Sequence, residues 1–319
     1  MKRIFKRTFK RIWLRLYQMN ARLGLDGLFF RAGYALAARL LGSRRVQQMF
    51  FPRQVAQVQT FLQRTGLETT HPVTPTVRQL LLEETVLLWR YGSNPRGAWR
   101  AAEIERDVVV ENWGLFEQAH SAGRGVLLLL SHYGLHRAIF PFMRQRGYDG
   151  PSVYANAKRW RLPAGYAMTD LERMLRSAQD LVDAQQALTA GGIAYILPDG
   201  SYGAVAVTLP FYNRKRHFKT GFAELVVSSG ARAMPVTAVP RADGKLCITF
   251  YPPFTDSSPN MSQPQRVELL VQQYAEHLAH LWALSPASAH HMQRHLYDTK
   301  IYAADASAQG SVIEVSDEG

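Results

Sequence analysis

Two short apolar runs constrain this chain more than anything else in it. Residues 126–130 follow Gly123 and Gly125 and stop abruptly at Ser131, His132 and Gly134. Residues 193–197 follow Gly191 and Gly192 and stop at Pro198, Asp199 and Gly200. Runs that brief, apolar at successive positions and bounded by glycine, read as strands buried on both faces. In α/β proteins the loops beyond such strand ends face the ligand crevice. The residues just past each run are therefore the candidates for chemistry.

The surrounding pattern supports the same architecture. Helices are expected over 55–62 and 76–89, with Pro72, Pro75 and Pro95 as breaks. Residues 107–110 read as a short strand, and a helix from Trp113 stops at Ala122 and Gly123. A helix over 135–146 is expected to be interrupted near Pro141, and a further short strand begins at Pro151. Residues 170–190 form a long helical pattern. A polar, basic loop is expected over 213–219, then a helix over 220–229, strands over 234–239 and 246–251, and an amphipathic helix over 263–284. Strands alternating with helices of this length predict an α/β fold with a mixed, mostly parallel sheet flanked by helices. The chain's 47% apolar residues suffice for its core. There is no internal repeat, and the small, aperiodic tail over 303–319 is expected to be disordered.

Charge divides the chain. The formal net charge is +13, and residues 1–53 hold thirteen Lys and Arg against Asp26 alone, or +12 of that total. The remainder is nearly neutral, so the domains expected are a basic segment over 1–53, a body over 54–302 and the tail. Within the first segment, Phe5, Phe9 and Trp13 share one helical face, while Lys2, Arg3, Lys6, Arg7, Lys10 and Arg11 crowd the sides and back. Segregated aromatics with a basic flank form the pattern of an amphipathic helix anchored on an anionic membrane surface. Each basic group there can contribute ~1 kcal/mol. The charges interrupt every apolar run, which excludes a spanning helix and a cleaved signal. The alternatives are a solvated charged helix and a nucleic-acid-binding arm. The segregated aromatics argue against nucleic acid, whose binders interleave aromatics with charge. A second segment, 27–42, reads either as the other half of an interfacial hairpin or as a helix packed on the body.

His132 is the leading catalytic candidate, as a general base at a strand end; the alternative is a histidine satisfying a backbone group in a tight turn. Ser131 lacks the elbow motif of a nucleophile and is expected to cap a helix. Asp199 and Gly200 stand in a loop that can bring amides to an anion or form an ordinary turn. Arg214, Lys215 and Arg216 are read either as a receiver of phosphate groups or as a solvated loop. His291 and His295 have ligand spacing, but no companion carboxylate accompanies them, so no metal site is expected. The single cysteine, Cys247, allows neither an internal disulfide nor a cysteine-based zinc cluster.

In their order and spacing these segments resemble the late acyltransferases of lipid A biosynthesis, a branch of the lysophospholipid acyltransferase superfamily. The likeness rests on the basic N-terminal anchor, the apolar strand into Ser131 and His132, the turn Leu197, Pro198, Asp199, Gly200, and residues 209–214 ahead of the helix to Gly230. It implies transfer of an acyl or aminoacyl group from a carrier-protein thioester to lipid A or another glycolipid acceptor. The place implied is the cytoplasmic face of a bacterial inner membrane. His132 would act as general base, without a covalent enzyme intermediate and without a cofactor. The resemblance has one departure. The family places Asp or Glu five positions after the histidine, and here that position is Arg137, which cannot accept the imidazole N–H. Either His136 or Asp199 orients His132, or the acceptor is an amine needing weaker base catalysis, or the scaffold is a silent lipid-binding or assembly protein. Ser131, Arg137, Gly200, Arg214, Lys215 and Arg216 are the expected substrate contacts.

Overall fold

The computed structural model describes residues 26–84, 87, 105–153, 170–200, 205–255, 260–290, 293–294 and 302–303. The basic arm with Lys2 to Trp13 lies outside these, as do His291 and His295. In chain order the helices are α1 (Asp26–Leu41), α2 (Arg44–Phe50), α3 (Pro52–Thr65), α4 (Val73–Leu82), α5 (Trp113–Ser121), α6 (Ile139–Gln145), α7 (Asp170–Thr189), α8 (Gly221–Ser229) and α9 (Gln263–Leu284). The strands are β1 (Val108–Glu111), β2 (Val126–Leu129), β3 (Ser152–Val153), β4 (Ile193–Ile196), β5 (Ala206–Phe211), β6 (Arg214–Lys219), β7 (Arg232–Pro240), β8 (Leu246–Phe250) and β9 (Tyr302–Ala303).

Six strands form one sheet in the order β1-β8-β7-β2-β4-β3. All neighbours are parallel except the β7–β8 pair. β2 is central, paired with β7 and β4, and all four of its residues are buried. Its side chains alternate between two cores. Leu127 and Leu129 join α7, α8 and α9 on one face, while Val126, Leu128 and Leu130 join α5 and α6 on the other. That is why the run is apolar throughout instead of alternating.

The register of β2 against β4 positions the site. Leu129 is paired with Ile196, so His132 and Asp199 each lie three residues beyond the same rung. Two glycines let the chain enter and leave β2. Gly125 has φ +74°, and a Cβ there would overlap the Leu188 carbonyl. Gly134 has φ +56°, and a Cβ would overlap the Ala238 carbonyl. Both positions therefore exclude L side chains twice over.

Several expectations need correction. Pro75 and Pro141 break nothing: each occupies the third position of its helix, where an N–H has no intrahelical acceptor anyway. The stretch 213–219 is not a loop. β5 and β6 form an antiparallel hairpin, turning at Tyr212 with φ +53°, and β9 pairs on the other edge of β6. Ala303, assigned to the disordered tail, faces Lys215 in that pairing. Ser131 caps no helix: its hydroxyl lies 2.8 Å from that of Tyr274. Finally, the body starts before residue 54. Tyr34, Ala37, Ala38 and Leu41 pack on the sheet's second core, and the buried Gln47 donates to the carbonyls of Leu41 and Thr74.

Candidate active site

Asp199 grips His132 with both carboxylate oxygens. Oδ1 lies 2.8 Å from the ring Nδ1, and Oδ2 accepts the His132 backbone N–H at 2.6 Å. The Asp199 side chain is fully buried, whereas His132 keeps part of its ring open to solvent. Burial by itself raises the Asp199 pKa. The charge and hydrogen bonds of His132, aided by Arg216, outweigh it and hold the carboxyl below its usual value. An ionised carboxylate only accepts hydrogen bonds, so Nδ1 carries the proton and Nε2 presents its lone pair. That is the tautomer a general base needs.

The Asp199 backbone is equally restrained. Arg216 donates from Nη2 to the Asp199 carbonyl at 2.9 Å and to Gln293 Oε1 at 2.9 Å. Gln293 Nε2 donates to the same carbonyl at 2.7 Å. Arg216 is almost wholly buried, with its guanidinium over the rings of Phe218 (4.7 Å) and Phe211 (5.4 Å). It was expected to meet substrate phosphate; its burial and its bonds make it a brace for the aspartate loop. Tyr274 of α9 spans both loops, meeting the Ser131 hydroxyl and the Asp199 backbone, and burial keeps its phenol protonated by raising its pKa.

His136 does not orient His132. The two rings meet edge to face at 5.4 Å, and His136 Nδ1 is buried without a hydrogen-bond partner among the described residues. Burial first, then the neighbouring His132, lowers its pKa to about 3. It is a neutral imidazole and a very weak base. His290 completes the group, with its ring 6.1 Å from that of His132 and its amide donating to the His132 carbonyl at 2.9 Å.

The other expected contacts scatter. Gly200 is half-buried, its amide 3.4 Å from the Leu197 carbonyl. Arg137 and Lys215 are exposed, and Arg214 is half-buried at the start of β6. Gln293 and Tyr274 were absent from the sequence reading. Isolated polar residues in helical or irregular context carry no local signal of their long-range partners.

A base held by a buried carboxylate at the ends of adjacent parallel strands can take a proton from a hydroxyl or amine that attacks a carbonyl. The chain is an acyltransferase. It belongs to the bacterial lipid A biosynthesis acyltransferase family, whose model matches residues 97–294. No curated protein sequence matches it. Among solved structures it is similar to the 1-acyl-sn-glycerophosphate (LPA) acyltransferase PlsC from Thermotoga maritima, at 16% identity and a TM-score of 0.32, over 78% of this chain and 98% of that one.

Proposed function

We propose that this protein moves an acyl or aminoacyl group from a carrier-protein thioester to lipid A or another lipid-linked acceptor. The observation that carries this reading is the His132–Asp199 pair. His132 Nε2 takes the proton of the acceptor hydroxyl or amine as that group attacks the thioester carbonyl. Asp199 stabilises the imidazolium that results. The tetrahedral intermediate collapses, the C–S bond breaks, and the imidazolium returns its proton to the departing thiolate. Backbone amides or a basic side chain stabilise the oxyanion, and no bond to the enzyme forms. The missing family acid at Arg137 is replaced in this scheme by Asp199, which supports an active enzyme over a silent lipid-binding protein. His136, too weak a base, takes no proton.

Work at the cytoplasmic face of a bacterial inner membrane belongs to the same proposal. Leu36, Leu40, Met49 and Phe50 are each more than half exposed, and Arg31, Arg39, Arg44 and Arg45 beside them are exposed as well. Exposed apolar side chains amid arginines suit an anionic bilayer surface. No helix among the described residues is long and apolar enough to cross a membrane. The test is mass spectrometry of membrane lipids from a deletion strain, paired with turnover of carrier thioesters by the purified protein. A mass loss equal to one acyl or aminoacyl group supports the reading, and unchanged lipids with no turnover overturn it.

A further inference from the structure

Behind the His132 loop, where Tyr133 forms an isolated bridge with Ala289, stand the hydroxyls of Ser285 and Ser288. These two hydroxyls are 3.0 Å apart. Ser288 donates to Glu83 Oε1 at 2.7 Å. Gln79 Nε2 donates to the same oxygen at 3.0 Å and to Ser285 Oγ at 2.8 Å. The one proton of Ser288 goes to Glu83, so Ser285 donates to Ser288 and the hydroxyls run in one direction, toward the buried carboxyl.

The segment bearing these serines also touches the catalytic loops at three points. The Ser288 carbonyl accepts the Gly134 amide at 2.7 Å, and the His290 amide donates to the His132 carbonyl at 2.9 Å. Gln293 holds the Asp199 carbonyl at 2.7 Å. We propose that Glu83 is a positioning residue for the His132–Asp199 pair, acting through Ser288, and that its charge sets how firmly Ser288, His290 and Gln293 hold both loops. The inference rests on reading that pair as the acid–base centre.

Glu83 has charged and titratable neighbours on every side. They are Glu84 on its own chain segment, Arg294, Tyr133, and Tyr34 of α1. Arg294 is committed elsewhere, to Glu84 at 3.2 Å and to the carbonyls of Ala287 and Ala289. Among the described residues no cation hydrogen-bonds Glu83. Burial pushes its carboxyl up to about 7, against the bonds from Ser288 and Gln79 and the field of Arg294. Below that pH the carboxyl is neutral and the network complete. Above it, a charge without a bonded cation sits in a dry site, draws in water and slackens the segment.

The experiment follows the His132 ring by NMR from pH 5.5 to 8.5 in the full-length, histidine-labelled protein in micelles, alongside thioester turnover. The wild-type ring shifts are expected to follow Glu83 through an inflection near pH 7. Glu83→Gln, which keeps a neutral acceptor, should lose it, and Ser288→Ala, which cuts the link and spares the carboxyl, should lose it too. The ratio of Glu83→Gln to wild-type kcat should rise severalfold between pH 6 and pH 8.5. An inflection that persists in the folded variants overturns the proposal, and Ser288→Ala decides alone where Glu83→Gln does not fold. Loss of the inflection without any turnover sinks the acyl-transfer reading and leaves this one standing.

Discussion

Two carboxyl groups flank the His132 loop, and both are fully buried, yet their environments drive them apart. Asp199 has the His132 ring and amide on its oxygens and the field of Arg216 behind it, and it is held ionised. Glu83 has a hydroxyl and an amide as donors, with Arg294 pointed elsewhere, and its pKa is raised to about 7. Burial is common to both. The imidazole and amide of His132, with the field of Arg216, make the difference, and they separate a carboxylate fit to orient a base from one fit to titrate.

The sharpest way to break this contrast is Asp199→Asn. The amide keeps the shape of the carboxylate and can donate where the carboxylate only accepted, so His132 adopts the wrong tautomer. By analogy with serine-protease triads, kcat for thioester transfer should fall ~10⁴-fold. A fall of less than about tenfold would mean that another group orients the base.

The next largest effect is on stability, and it comes from Glu83. A carboxyl whose folded pKa lies above its unfolded value gives its full share of stability below about pH 4.5 and loses it as pH rises through about 7. The wild type should lose on the order of 3 kcal/mol between these limits, at 1.36 kcal/mol per unit. Chemical denaturation of Glu83→Gln should lack that slope. Asp199, held low, has the opposite sign, its stability being lost only as acid protonates it.

Arg216→Met tests the brace. The Asp199 carbonyl would retain Gln293 and lose a charged donor, which should cost about 1–3 kcal/mol of stability. The change should also raise the Asp199 pKa, read from its carboxyl carbon shift in an acid NMR titration. The smallest effect is expected at Arg137. Its side chain is exposed, so Arg137→Ala should alter stability by less than about 0.5 kcal/mol. A large loss of turnover there would give Arg137 a substrate contact after all.

The two strand ends were legible because β2 and β4 are buried on both faces, and composition alone reveals that. The partner of His132 was legible only as a choice between His136 and Asp199, because the answer depends on a parallel register between segments 67 residues apart. Local spacing pointed to position 137, where an arginine stands. The β5–β6 hairpin was hidden for a related reason. Its inward positions include Arg214 and Arg216, so the alternation that marks a strand reads as a run of charge. Glu83 and Gln293 are ordinary polar residues in sequence, and only tertiary contacts bury them.

The reach of Gln293 across 94 residues to the Asp199 carbonyl has a consequence for biosynthesis. Translation delivers β2, β4, His132 and Asp199 well before residue 293 leaves the ribosome. Until then the aspartate loop lacks one of its two carbonyl donors, and the His132 carbonyl lacks the His290 amide. Long-range contacts of this kind form late, because chain entropy must be overcome before they can stabilise anything. The order of synthesis therefore leaves the His132–Asp199 pair only partly bonded while the apolar helices are still finding their places, and its last two bonds arrive only with His290 and Gln293.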